Sequence, residues 1–312
     1  MSNSTTTEIE YRPATHDDYE GVVAFTEDTW SALDVEASDY LPRVYHDWID
    51  GENRKTIVAD AGDAIAGISQ LVMLSEYEGW AQGMRVNPNF RGRGIGSGIN
   101  EVLFSWARDR GATVVRNMVF SWNQAGLGQS RANGFDPVTE FRWLHPEPDA
   151  GAVDSLAQYR GDLDAAWTYW SGSDARTHLG GLGLDLDESW AMRELDREFL
   201  ARASDEQSVL RVTDREGTSA FAYRTRTDER ENDEGETETW AEYGAAAWAD
   251  LDAADALIDA IRADAADCGA DRTRVLIPET VDFVSDGAYL RAEISQEPDF
   301  VLAADLTGEN LP

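Results

Sequence analysis

The strongest constraint on the fold is a glycine-rich turn between a strand-like run and an amphipathic helix. The run Trp80–Val86 has the length and apolar content of a strand, and glycines then follow at alternate positions 92, 94 and 96. Beyond the turn, apolar residues recur at helical spacing until Gly111, which is a typical stop signal. Alternate glycines let the backbone pass close to a ligand, and a helix N-terminus attracts negative charge. The segment therefore predicts an anion site, most plausibly for phosphate.

The residues of the turn exclude two common phosphate-binding loops. A Walker A loop needs Gly-Lys-Ser/Thr, and the only lysine of the chain is Lys55. A dinucleotide-binding GxGxxG motif would need glycine where Ser97 or Ile99 stands. A surface turn without a ligand remains the alternative, but it does not explain why Arg91 and Arg93 flank the glycines in a chain so poor in cations.

The acidic composition narrows the choice of partners. The chain has 26 basic and 60 acidic residues, for a formal net charge of −34. Such a surface repels nucleic acid and anionic membranes, so we expect neither as a partner. Because the acids are spread along the whole chain, they indicate a surface kept soluble in strong salt, as in proteins of halophiles. Attraction of a cationic substrate is the alternative explanation.

The cysteine, histidine and hydropathy patterns argue against disulfides, metal sites and membrane-spanning segments. Cys268 is the only cysteine, and four scattered histidines lack metal-ligand spacing, so we expect neither a disulfide nor a metal site. No apolar run approaches membrane-spanning length, and residues 1–7 form a polar tail. A soluble cytoplasmic protein is therefore the expectation.

The turn and the segments around it resemble the GNAT acetyltransferase family. The resemblance rests on Val86-x-Pro88, on Arg91-x-x-Gly94-x-Gly96 and on the downstream Asn123…Gly134-Phe135, and it covers about residues 9–145. It implies an α+β fold in which a mixed, mostly antiparallel sheet is flanked by helices. It also implies that acetyl-CoA is the cosubstrate, with its pyrophosphate on the turn and its pantetheine arm on a splayed strand. The residues implied to bind it are Met84, Val86, Arg91, Gly92, Arg93, Gly94, Ile95, Gly96, Ser97 and Asn123.

The chemical step is less well defined by the resemblance than the cofactor site. Amine acetylation needs a deprotonated amine, a polarised thioester carbonyl and a proton for the leaving thiolate. The family often places a tyrosine seven residues after the asparagine as the general acid, but this chain has Ser130 there, and its hydroxyl is a much weaker acid. Acids that fall near the expected acceptor site are candidates for the general base, and each could equally be a solvated surface residue: Glu27, Asp28, Glu76 and Glu78. We take Glu27 and Glu78 as the first candidates.

The C-terminal half repeats the order of elements and is predicted to be a degenerate copy of the same fold. Two prolines and a glycine within residues 145–152 indicate a linker, so we predict domains at 1–146 and 153–312. In the second domain we predict a helix within Glu188–Ala203 and an acidic loop at Asp228–Glu238. Its equivalent of the phosphate turn, near Tyr243–Trp248, has one glycine and no arginine. We therefore predict one active site, with the second domain structural, lining the acceptor cleft or mediating dimerisation.

Two functional hypotheses follow from these patterns. The first is an N-acetyltransferase that moves the acetyl group of acetyl-CoA to a small-molecule or peptide amine, acting as a monomer or homodimer. The second is a catalytically weak or inactive acyl-CoA-binding regulatory module, which the missing tyrosine would allow. Neither hypothesis identifies the acceptor amine.

Overall fold

The structure is a computed structural model that describes residues 8–26, 39–232 and 235–308. Its backbone forms two compact units. The first comprises residues 1–117, 125–136 and 302–312, and the second comprises residues 118–124 and 137–301. The predicted domain boundaries put residues 137–146 in the first domain and residues 302–308 in the second. The structure groups them the other way, and the N–H of Leu306 donates to the carbonyl of Thr113 within the first unit (2.9 Å).

The first unit is built on four antiparallel strands followed by one parallel strand. Its elements are β1 (Glu10–Pro13), α1 (Tyr19–Thr26), α2 (Leu41–Ile49), β2 (Arg54–Asp60), β3 (Ile65–Met73), β4 (Glu78–Val86), α3 (Ile95–Arg108), β5 (Val114–Phe120) and α4 (Gln124–Ala132). Strands β1 to β4 pair antiparallel in order, and β5 then pairs parallel to β4. Strand β5 therefore runs in the same direction as β4, as a strand–turn–helix–strand crossover requires.

Apolar side chains of the helices cover this sheet. Tyr45 and Trp48 of α2 are buried in one cluster with Val58 and Ile68 of β2 and β3. Helix α3 lies close to β3 because Gly67 has no side chain: a Cβ there would fall 2.9 Å from Cγ2 of Ile95. This close packing holds the start of α3 against the sheet, so the turn before it has a defined position.

The second unit repeats the arrangement with additional short elements. Its elements are β6 (Asp136–His145), α5 (Leu163–Gly172), α6 (Asp174–His178), β7 (Leu182–Leu184), β8 (Met192–Glu194), α7 (Arg197–Glu206), β9 (Ser208–Thr213), β10 (Thr218–Glu231), β11 (Thr237–Trp248), α8 (Leu251–Asp267), β12 (Arg272–Pro278), α9 (Val281–Tyr289) and β13 (Glu293–Ile294), and the last strand β14 (Asp299–Asp305) has residues in both units. Its strand order is β6-β12-β11-β10-β9, with β11 and β12 parallel. Each unit thus shows the predicted mixed, mostly antiparallel sheet with flanking helices.

Two local predictions for the second unit differ from the structure. The helix predicted within Glu188–Ala203 is α7, which starts only at Arg197, after strand β8, and runs on to Glu206; the Asp196 carboxylate caps it by accepting from the N–H of Phe199 (2.7 Å). The segment predicted as an acidic loop is mostly strand, because β10 runs to Glu231 and β11 begins at Thr237. The high content of acids suggested a solvated loop, but the two strands pair with each other through this segment, from Asp228 with Trp240 to Glu231 with Thr237.

Candidate functional site

The parallel pairing of β4 and β5 stops partway along β4. Three residue pairs form the ladder: Glu78 with Val114, Gly79 with Val115 and Trp80 with Arg116. On its other side β4 continues to pair with β3 as far as Val86. Within the described residues, the edge of β4 after Trp80 is therefore not paired with β5. Extended backbone with an unpaired edge can hydrogen-bond an extended ligand, and both Met84 and Val86 lie in this stretch.

A glycine at the middle of β4 shapes the opened strand. Gly83 has φ +65°, and the pairing register with β3 shifts between Ile68 and Gln70. A Cβ at position 83 would lie 2.1 Å from Cη2 of Trp48, so no other residue fits there without displacing the indole. The irregularity bends the strand and re-aims the residues that follow it.

Asn87 anchors the turn that follows β4. This nearly buried side chain donates from Nδ2 to the carbonyl of Ile65 (3.0 Å) and accepts at Oδ1 from the N–H of Asn89 (3.1 Å). One turn of 3-10 helix, Pro88–Phe90, comes next. Gly92 and Gly94 then adopt left-handed backbone conformations with φ of +73° and +77°, and a Cβ at either would meet no atom within 4 Å. Conformation, and not space, is therefore what requires glycine at these two positions.

The first turn of α3 presents donors that the chain does not use. Gly94 occupies the N-cap position and has no side chain to cap the helix. Among the described residues, the N–H groups of Ile95, Gly96 and Ser97 have no acceptor. Uncapped N–H groups and the helix dipole together favour a bound anion.

Two arginines beside this turn are exposed and have no acidic partner among the described residues. Arg91 and Arg93 form no ion pair there, although the chain has more than two acids for every base. The guanidinium of Arg93 lies over the ring of Phe90 at 5.1 Å. Among the described residues, the turn therefore combines N–H groups that have no acceptor with two arginines that form no ion pair. Phosphate-binding sites commonly use these two kinds of donor.

The three predicted cofactor-binding residues at the start of α3 differ in which of their atoms a ligand could contact. Ile95 is buried with its side chain in the core, so only its N–H is available to a ligand. Gly96 is also buried, and a Cβ there would fall 2.1 Å from Nε2 of Gln129 and 3.7 Å from Sδ of Met84. The absence of a side chain at Gly96 therefore allows α3 to approach α4. Ser97 is exposed at the helix start.

Ser130, the residue at the position of the expected tyrosine, is buried against β5. Its Oγ accepts from Nδ2 of Asn117 (2.9 Å), and no acceptor for its own hydroxyl proton is found among the described residues. Oδ1 of Asn117 is buried without a partner in the same part of the structure. The sequence analysis missed Asn117, because nothing in its local sequence distinguishes it from any other residue of β5.

The two candidate bases and Asn123 lie in different settings. Glu78 is fully buried, accepts from Arg116 Nη1 (2.5 Å) and from Ser75 Oγ (2.9 Å), and links the first residues of β4 and β5. A committed buried carboxylate of this kind stabilises the sheet and has no open face for an amine. Glu27 lies outside the described residues. Asn123 directly precedes α4 and is grouped with the second unit, where its N–H donates to the carbonyl of Phe120 (2.9 Å).

The corresponding region of the second unit has no anion cradle. Only Ala249 and Asp250 separate β11 from α8, and the Asp250 carboxylate caps that helix by accepting from the N–H of Ala253 (2.9 Å). A fixed negative charge at the helix N-terminus occupies the place of an anionic ligand and repels one. The parallel strands are joined by a second buried ion pair, Glu242 with Arg274. Burial alone would raise the pKa of Glu242, but nearby arginines, Arg274 foremost, hold it below its ordinary value.

Metal-ligand clusters and membrane-spanning helices are the two remaining features of interest. Within residues 8–26, 39–232 and 235–308, no three His, Cys, Asp or Glu side chains converge in a way that could hold a metal ion. None of the helices in those ranges combines the length and the apolar character needed to cross a bilayer.

A splayed parallel strand pair, a glycine turn and an uncapped helix N-terminus are features of the GNAT fold, and comparison with known proteins agrees. The sequence model of the acetyltransferase (GNAT) family matches residues 22–135. The structure of a GCN5-related N-acetyltransferase from Sphaerobacter thermophilus superimposes with a TM-score of 0.57 at 13% identity, covering 97% of this chain and 98% of that one. A candidate acetyltransferase from Thermoplasma acidophilum gives a TM-score of 0.58 at 16% identity, covering 95% and 99%. The chain has the GNAT fold, and its residues 22–135 match the sequence model of the GNAT family.

Sequence relatives with curated functions match over a shorter stretch. Histidine N-acetyltransferase of Oreochromis niloticus is 27% identical over 88 residues, which is 28% of this chain and 25% of that protein. The Xenopus tropicalis protein of the same name is 25% identical over 104 residues, covering 33% and 31%. The chain therefore spans about a quarter to a third of the length of these relatives.

Proposed function

We propose that the first unit binds acetyl-CoA and transfers its acetyl group to a primary amine. The observation that carries this proposal is the end of the β4–β5 ladder at Trp80 and Arg116, directly before a turn with open N–H groups and two uncommitted arginines. An unpaired strand edge suits the amide-containing pantetheine arm, and the turn suits the pyrophosphate. The GNAT family match over residues 22–135 supports the same assignment.

Each group of residues then has a proposed task in the reaction. The N–H groups of residues 92–97 and the guanidinium groups of Arg91 and Arg93 hold the pyrophosphate. Backbone groups of Met84 and Val86 hold the pantetheine arm and polarise the thioester carbonyl, since preorganised N–H donors stabilise the oxyanion that develops there. Asn123 is proposed as a further contact to the cofactor arm. Acetyl-CoA itself supplies the activated acyl group.

The leaving thiolate is the step at which this chain departs from the family pattern. Ser130 Oγ accepts a hydrogen bond from Asn117, so its own proton can point towards the thiolate. A serine hydroxyl is a weak acid, so we propose that it stabilises the thiolate by a hydrogen bond and does not protonate it fully. Of the two candidate bases we retain Glu27, because Glu78 is committed to Arg116.

The second unit is proposed to be a degenerate GNAT domain with no cofactor site. The carboxylate of Asp250 caps α8 where the first unit leaves its helix uncapped. No observation on the described residues favours the alternative of a binding-only regulatory module. The acidic surface is also proposed to be an adaptation to high salt. Activity should therefore be assayed at several salt concentrations.

The experiment that tests the function measures acetyl-CoA binding and acceptor-dependent thiol release. The amine panel would begin with histidine, because the curated relatives acetylate it according to their names, and would include other small amines and a peptide N-terminus. Arg93→Ala should weaken acetyl-CoA binding by about 5- to 30-fold, the range expected for one charge-assisted contact that is partly exposed. Arg108→Ala removes an equal charge from the opposite end of α3 and is the matched control.

The possible results separate the hypotheses. Tight binding with amine-dependent thiol release supports the proposal. Binding of acetyl-CoA without release for any amine would favour the regulatory module. Equal effects of the two arginine substitutions would show that the loss is a general charge effect and that the turn is not the pyrophosphate site.

A further inference from the structure

A cluster of aromatic rings in the second unit surrounds one end of its sheet. The ring of Trp190 packs edge-on against both Trp143 (5.7 Å between centroids) and Phe120 (6.2 Å), and Phe120 stacks on Trp122 (5.1 Å). Trp143 is buried, whereas the other three rings are partly exposed. Trp190 is held in a left-handed backbone conformation (φ +63°), which is strained for a tryptophan and fixes its ring in this cluster.

A buried carboxylate, Asp299, borders the cluster. Its Oδ2 accepts from Nε1 of Trp143 (3.0 Å), and only 5% of the residue is exposed. Among the described residues no hydrogen bond to Oδ1 is found. Burial raises the pKa of Asp299 to about 6, despite the opposing hydrogen bond from Trp143 and the charge of Arg274.

The cations near Asp299 are committed elsewhere. The guanidinium of Arg274 lies between the rings of Trp143 (4.7 Å) and Trp190 (4.3 Å), and it is bonded to the carboxylate of Glu242. Arg142 is paired with Glu279. Within the part of the chain that the structure describes, Asp299 forms no ion pair. A buried carboxylate without a counter-ion is costly, and this cost falls when a ligand supplies the positive charge.

We infer that Asp299 and the rings of Trp190, Phe120 and Trp122 form a binding site for the ammonium group of a flat, apolar amine. The carboxylate would accept from the ammonium at Oδ1, and the aromatic faces would contact the apolar body and attract the cation. A carboxylate or phosphate ligand would instead be repelled by Asp299. This amine-binding site belongs to the second unit, stands on these contacts alone and goes beyond the proposed function.

The test uses the full chain and three probes of nearly the same shape. These are 2-phenylethylamine, which is cationic, 2-phenylethanol, which is neutral, and phenylacetate, which is anionic. Binding is followed by tryptophan fluorescence, because Trp122, Trp143 and Trp190 all belong to the cluster. We expect saturable binding of the amine at least about 10-fold tighter than that of the alcohol, which is the gain expected from one charge-assisted hydrogen bond. No saturable change with phenylacetate is expected.

Two substitutions make the assignment specific. Asp299→Asn keeps an acceptor for the Trp143 indole and removes the charge, so it should reduce amine affinity to that of the alcohol. The matched control is Asp286→Asn, because Asp286 accepts from Nε1 of Trp248 (2.9 Å) in the same unit but away from this cluster. It should bind the amine as the wild-type chain does. Trp190→Ala should weaken binding about 3- to 10-fold through loss of the cation–π contact.

A proton-release measurement distinguishes the site from a purely structural carboxylate. An ammonium partner lowers the pKa of Asp299, so binding at pH 6 should release up to about half a proton, and at pH 8 almost none. Calorimetry in two buffers of different ionisation enthalpy measures this release, and Asp299→Asn should abolish it. The inference is overturned if phenylacetate binds as well as the amine, if no probe binds, or if Asp299→Asn and Asp286→Asn behave alike. If the wild-type chain binds the amine but releases no thiol from acetyl-CoA, the proposed function fails while this site stands.

Discussion

The Glu78–Arg116 ion pair provides a sharp test of how the first unit is organised. Glu78 is fully buried and Arg116 nearly so, and their side chains join the first residues of β4 and β5 just before the two strands part. If the pair is structural, Glu78→Gln removes the carboxylate charge that offsets the buried guanidinium of Arg116. Removing one partner of a buried pair costs about 3–5 kcal/mol, and glutamine, which still accepts a hydrogen bond, should fall near the lower end.

This energy converts into a measurable change in thermal stability. For a unit of about 150 residues, 1 kcal/mol lowers Tm by about 2–4 °C, so Glu78→Gln should lower it by roughly 6–12 °C. Calorimetry and near-UV circular dichroism would measure the transition. The control is Glu52→Gln, an exposed acid of the same unit, which should leave Tm within about 1 °C because exposed charges contribute little.

Turnover separates the structural role from a catalytic one. Well below the transition temperature, Glu78→Gln should retain acetyl-transfer activity within a few-fold of the wild type. A general base normally contributes about 10²–10⁴-fold to the rate. An unchanged Tm with a loss of turnover of that size would refute the structural interpretation and restore Glu78 as the base.

Three further predictions concern the turn, the second unit and pH. Gly94→Ala places a side chain at φ +77°, so it should cost about 1–2 kcal/mol in unfolding free energy and weaken acetyl-CoA binding; denaturant titration that shows no loss would contradict the conformational argument. Acetyl-CoA should bind with one site per chain in calorimetry, because Asp250 caps the second helix; two equivalent sites would exclude a degenerate second unit. For Asp299, the pKa is raised from 3.8 to about 6 in the folded state. Its favourable contribution to the free energy of unfolding is therefore complete below pH 3.8 and is lost as the pH rises through about 6. The stability of Asp299→Asn relative to wild type should therefore increase by up to about 3 kcal/mol between pH 4 and pH 7, and a pH-independent difference in denaturation would contradict the raised pKa.

Much of the first unit could be predicted from local sequence. The strand before the turn, the glycines with positive φ and the amphipathic helix after them lie where the periodicity and the glycine spacing placed them. These features are encoded within about ten residues of one another, and local backbone preference and side-chain periodicity are sufficient to specify them. The family resemblance depended on the same short segments.

The sequence did not reveal which side chains become committed to one another. Glu78 was a candidate base from its position alone, and only the partner on β5, 38 residues away, turns it into half of an ion pair. Asn117 and Asp299 went unnoticed for the same reason, because their hydrogen bonds to Ser130 of α4 and to Trp143 of β6 depend on how separate elements pack together. A single sequence records residue types but not such long-range partners.

The same division applies to the architecture. By itself, the sequence determined that a strand, a glycine-rich turn and a helix follow one another near residue 90, since the conformational freedom of glycine and the helical period act locally. Only the tertiary structure decided that Leu302–Asp305, in the last strand of the chain, belongs to the first unit and Pro137–His145 to the second. Strand pairing is non-local, and a strand's own residues show which of its faces is apolar but not which strand will lie beside it.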